Sequence, residues 1–219
     1  MTYFWWLIIG VGLVLQLLVI AVVLRRRQGG FQVLFVYLVL LFLSTVLNAA
    51  AYYNPGTQVR AARYYWLSDA VRQAFIFLLV LSFIHNALVQ RVNRTPLRRM
   101  LWAGACLYVV ASLYFTWDPR IGHWMTNLSR NLAFLAVILN LILWAALIQF
   151  RRGDRVLLMV SGGMGIEMAG KAIGHSLRQL SKSTELTGDL ILVITHLLCL
   201  CIWWQAFRRV DPAKRAIVE

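Results

Sequence analysis

Apolar positions run along this chain in seven long, continuous stretches, each ended by a short segment of arginine, proline, glycine or asparagine. No stretch alternates with a period of two, so β-barrel strands are not expected. Each is long enough to cross a hydrocarbon layer of about 30 Å as a helix. The pattern predicts an all-α, polytopic membrane protein, a seven-transmembrane-helix bundle. Its helices fall at about 2–24, 31–53, 64–90, 100–117, 125–150, 156–180 and 189–207. Asn54-Pro55-Gly56 and Asp118-Pro119-Arg120 are turn segments that close helices 2 and 4. Connections of about 4–13 residues make consecutive helices antiparallel neighbours, so residues 1–219 read as one domain. No internal repeat or low-complexity tract interrupts it.

Composition agrees with the pattern. Hydrophobic residues make up 61% of the 219 positions, mean hydropathy is +0.70, and only 14% of residues are charged. A soluble domain carries about a quarter charged residues. The net charge of +14 suggests nucleic acid until the charges are placed. Fourteen of the 22 basic residues lie towards one side: Arg25, Arg26, Arg27, Arg91, Arg94, Arg98, Arg99, Arg151, Arg152, Arg155, Arg208, Arg209, Lys214 and Arg215. Only Arg60, Arg63, Arg120 and Lys182 belong to the other. This is the positive-inside pattern, and it predicts an outside N-terminus and a cytoplasmic C-terminus. The basic loops suit an anionic inner leaflet, so the expected partner is the lipid bilayer and not nucleic acid. Helix 1 has no small-residue cleavage site after it and is expected to stay as an uncleaved anchor. The expected location is the plasma membrane, as a multi-pass protein of a bacterial inner membrane. Cys106, Cys199 and Cys201 all fall within spans and read as packing residues.

Polar groups inside the spans then become the informative positions. Gly162–His175 carries five glycines with Glu167, Lys171 and His175 at i, i+4 and i+8, on one helix face. A charge at the bilayer centre costs roughly 2.5–3.5 kcal/mol or more, so such residues are site candidates. Glu167 lies about 18 Å along helix 6, near mid-membrane. Asp69 and Arg72 of helix 3, Arg130 of helix 5 and His196 of helix 7 are expected in the first turns from the outside. Tyr37, Ser44 and Asn48 share a face of helix 2. These positions converge on a pocket in the outer half, closed on the cytoplasmic side. The candidate ligand-binding residues are Glu167, Lys171, His175, Asp69, Arg72, Arg130 and His196. Each also has a plainer reading. Asp69, Arg72 and Arg130 could stand in the headgroup layer, Glu167 and Lys171 could be an internal ion pair, and the glycines could serve close helix packing.

In layout, the chain resembles the seven-helix N-terminal sensor modules of bacterial histidine kinases. It also resembles small stand-alone bacterial seven-helix membrane proteins of unknown function with a Tyr-Trp-rich third helix, the matching stretch here being Arg63-Tyr64-Tyr65-Trp66-Leu67-Ser68-Asp69-Ala70. The resemblance implies a sensor. No kinase follows, so signalling is expected through a protein partner held by helix faces or the cytoplasmic basic loops.

The function expected is therefore a non-enzymatic sensor or binding protein without a cofactor or metal. No H-E-x-x-H, G-x-S-x-G or carboxylate pair at ligand spacing is present. Three alternatives stand beside it. His175 and His196 could ligate haem b in an electron-transfer subunit. Glu167, Lys171 and His175 could relay ions or protons in a transporter. The chain could also be an accessory subunit of a larger membrane complex.

Overall fold

The computed structural model describes residues 2–25, 31–53, 58–89, 95–115, 121–150 and 155–208. Those residues form seven helices: α1 (Thr2–Arg25), α2 (Gln32–Tyr53), α3 (Gln58–Val89), α4 (Thr95–Phe115), α5 (Ile121–Phe150), α6 (Arg155–Leu180) and α7 (Lys182–Arg208). Six of the seven are long and apolar enough to cross a membrane. The exception is α4, whose apolar stretch, Trp102–Phe115, is shorter than the other six.

Two helices begin well before the expected position. α3 starts at Gln58 instead of 64, and α7 at Lys182 instead of 189. Hydropathy finds the part of a helix that needs lipid, whereas both early segments are polar and extend past it. Gln58–Arg63 contains no glycine or proline to stop a helix. At the start of α7, Ser181 is the N-cap: its Oγ accepts from the backbone N–H of Ser183 at 3.2 Å. Thr184 adds hydroxyl bonds to the carbonyls of Leu177 and Ser181. Glu185 places an acid in the first turn, favourable at the positive end of the helix. Ser181 is thus the whole connection between α6 and α7.

The six long helices form a ring. Principal contacts run α1·α2, α2·α3, α3·α5, α5·α6, α6·α7 and α7·α1, while α4 packs on α5 outside the ring. α4 turns Leu107, Tyr114 and Phe115 outward, each more than 70% exposed. Such a surface suits lipid, which needs no polar partner from the side chains it meets.

The tightest seam is α6 on α7, and glycines make it possible. A Cβ at Gly170 would run into Thr195, and one at Gly174 into Leu192 and the backbone of Gly188. A Cβ at Gly163 would meet the Trp203 ring at 3.0 Å and the Cys199 carbonyl at 3.3 Å. These three glycines share one face of α6, which confirms the close-packing role expected for them. Gly162 and Gly165 face the other way, onto Trp144 and Asn140 of α5.

One end of the bundle gathers the described arginines Arg25, Arg99, Arg155 and Arg208; the guanidinium of Arg208 stacks 5.0 Å over the Trp204 ring. The half of the interior nearest this end is filled with apolar side chains, including Leu34, Leu38, Phe83, Trp203 and Phe207. Phe31 packs edge-on against both Phe83 and Phe207. The polar side chains lie nearer the opposite end, where α6 turns into α7.

Candidate functional site

Five helices build a cavity of about 280 Å³ in that polar half. α6 supplies Glu167, Lys171 and His175 from its middle and following turns, and the 3.6-residue period sets all three on the inward face. α3 contributes Asp69 and Arg72, α2 contributes Thr45 and Asn48, and α1 contributes Gln16. Ile8, Ile9, Leu192 and Val193 provide apolar wall, and His196 completes the polar set from α7.

The charges occur as two adjoining groups. In the deeper one, Glu167 Oε1 stands 3.5 Å from Lys171 Nζ and 3.3 Å from His196 Nδ1. Tyr37 donates its hydroxyl to the same carboxylate oxygen at 3.5 Å. Gln16 presents its amide nitrogen to His196 Nε2 at 3.4 Å and to Thr45 Oγ1 at 3.4 Å. An amide donor on Nε2 requires a lone pair there, so this arrangement places the His196 proton on Nδ1, facing Glu167. In the second group, Arg72 pairs with Asp69 Oδ1 at 3.1 Å, and His175 Nε2 faces Asp69 Oδ2 at 3.8 Å. Above Asp69, Asn48 and Ser68 link α2 to α3, the amide donating at 3.1 Å.

Burial gives these pairs their significance. Glu167 is 1% exposed and His175 2%, with Asp69 and Lys171 also buried. An unpaired charge at such a depth is costly, and here each carboxylate has its own cation within ion-pair distance. The buried polar atoms that lack a hydrogen-bond partner among the described residues include Gln16 Oε1 and His175 Nδ1. Both belong to residues lining the cavity.

Of the seven residues selected from sequence, six line this one space: Glu167, Lys171, His175, Asp69, Arg72 and His196. Arg130 does not. It donates to Gln179 Oε1, and Gln179 donates to Asn127 Oδ1 at 2.7 Å, closing a separate polar cluster between α5 and α6. Asp189 is likewise engaged elsewhere, by Arg178, near the α6–α7 link. On α2, Thr45 and Asn48 line the cavity, while the Ser44 hydroxyl turns back to the Leu41 carbonyl. Asp69 and His196 are not in first turns, because α3 and α7 begin six and seven residues earlier than their apolar runs. Gln16 was not singled out from sequence, although it is the one polar side chain between Trp6 and Leu24 of α1.

The two histidines sit at different levels. His196 is level with Glu167 and His175 with Asp69. Glu167 and His175 are eight residues apart on α6, about 12 Å along its axis. A haem iron needs both ring nitrogens within bonding distance of one point. The pairing of each histidine with a different carboxylate does not supply that.

Comparison with protein-family models, with curated proteins and with solved structures finds no match.

Proposed function

We propose that this chain is a multi-pass membrane binding protein, a non-enzymatic sensor that takes a small polar ligand into the ring of helices and reports it to a partner protein. The observation that carries the reading is the dead-ended cavity. It is lined by two carboxylates, two cations and two histidines, and beneath it the interior is packed with apolar side chains. Tyr37 and Trp203 meet there edge to face, with ring centroids 6.1 Å apart, directly below Glu167. A site with a floor suits capture and release from one side. A transporter needs an exit through the arginine-rich half, which Leu34, Leu38, Phe83 and Phe207 fill.

Charge asymmetry supports placing the arginine-rich end in the cytosol of a bacterial inner membrane, with the cavity in the outer half. A ligand bound there would change how α1, α2, α3, α6 and α7 pack together, and helix faces or the basic loops would pass that change to the partner.

The test is thermal unfolding of the purified chain in detergent against a panel of small organic acids, amines and amino acids. At least one compound should raise the unfolding midpoint of the wild type and leave Lys171→Ala and Glu167→Ala unmoved. A panel that stabilises nothing, or that stabilises both variants equally, rejects the reading. Co-purification from native membrane identifies the partner.

A further inference from the structure

We infer that the cavity takes a small zwitterion, a ligand carrying one carboxylate and one ammonium group, of the size of a small α-amino acid. The inference rests on the binding role proposed above and names its ligand class.

The first support is charge balance. Asp69 and Glu167 oppose Arg72 and Lys171, so with neutral histidines the cavity lining sums to zero. An ion carrying a net charge would bring an uncompensated charge into a low-dielectric interior, whereas a zwitterion leaves the balance intact. The second is the set of unmet bonds. Gln16 Oε1 is an acceptor, and the Asp69 carboxylate facing His175 Nε2 favours the Nε2–H tautomer, which leaves Nδ1 an acceptor too. Both are buried without a partner among the described residues, and both ask for N–H donors. Lys171 asks for the opposite. Its ammonium has three protons, and Glu167 is its one ion-pair partner among the described residues. A ligand bearing both an ammonium and a carboxylate answers all three.

The third support is size. A volume of about 280 Å³ equals the space of about nine waters in the liquid. That holds a small amino acid with a few waters. The apolar wall of Ile8, Ile9, Leu192 and Val193 leaves room for a short aliphatic side chain.

The experiment uses the full chain in detergent and three probes of one carbon skeleton: L-alanine, propionate and ethylamine. L-Alanine should raise the unfolding midpoint and bind with a measurable Kd by isothermal titration. Propionate and ethylamine, alone or as an equimolar mixture, should not. Neutralising one side should then change the preference. Glu167→Gln should gain affinity for propionate and lose more than about tenfold for L-alanine, and Lys171→Gln should do the reverse with ethylamine. The double variant, with its balance restored, keeps the comparison valid where a single variant fails to fold. Propionate or ethylamine binding alone to the wild type would overturn the zwitterion while leaving a binding protein. Failure of all three probes overturns the inference as well, whereas the binding role falls when the whole panel stabilises nothing or stabilises both alanine variants equally.

Discussion

Asp69 on α3 and His175 on α6 face each other at 3.8 Å across the bundle, 106 residues apart in the chain. Next to them, Lys171 and Glu167 pair within one helix at 3.5 Å. Each carboxylate is thus paired with a cation of its own helix, Arg72 for Asp69 and Lys171 for Glu167, and each also faces a histidine on another helix.

Removing one member of the Glu167–Lys171 pair leaves the other buried and uncompensated. Lys171→Met or Glu167→Gln alone should destabilise the chain by about 3–5 kcal/mol, and the double variant should recover most of that loss. Reversible unfolding of the three variants in detergent measures the coupling. Additive losses would show that the two side chains do not stabilise each other.

Arg130 and Arg72 separate cleanly. Arg72→Ala should abolish any ligand-induced rise in unfolding midpoint, while Arg130→Ala, which breaks the contact with Gln179 away from the cavity, should leave it unchanged. Equal losses in both variants would return Arg130 to the site.

These two arginines also show what the sequence could reveal. A charge inside an apolar run is visible in one dimension, which makes Glu167, Lys171 and Asp69 legible as candidates. The direction in which a helix turns its face around its own axis is not visible. Arg130 shares a helix end with the site and points to a different neighbour. Gln16 shows the opposite weakness, because a lone neutral amide in an apolar helix costs little and raises no alarm, yet it links three helices through His196 and Thr45. Helix identity was legible because lipid demands an unbroken apolar run, but helix ends were not. Past the hydrocarbon, Gln58 and Lys182 can begin a helix that hydropathy reads as loop.

The α6–α7 seam predicts a graded response to added volume. Gly170→Val should cost about 1–3 kcal/mol or prevent folding, since Thr195 occupies the space a side chain would need. Gly10→Ala is the control: nothing lies within 4 Å of its added methyl, so the change should stay within about 1 kcal/mol. Unfolding midpoints of the two variants decide it. A neutral Gly170→Val would mean the helices are not in close contact.

Orientation can be read directly in cells. In a background with Cys106, Cys199 and Cys201 replaced, a membrane-impermeant thiol reagent should label Ser181→Cys in intact cells and label Arg26→Cys only after permeabilisation. The reverse order would put the arginine-rich end outside and the cavity on the cytoplasmic half.

The single-residue link at Ser181 bears on how the chain enters the membrane. α6 is the least hydropathic of the six long helices, at 1.4, against 2.1 for the α7 span that follows. Alone, it must carry Glu167, Lys171 and His175 into lipid. A connection of one residue leaves the two helices no freedom to find each other late, so we expect them to partition from the translocon together. His196 then reaches Glu167 before α6 is released to lipid. A chain truncated after Ser181 should leave α6 uninserted in a glycosylation-reporter assay, while one ending at Arg208 inserts both. The hairpin that shapes the cavity is, on this account, also the unit of biogenesis, and α7 acts as the chaperone of the helix before it.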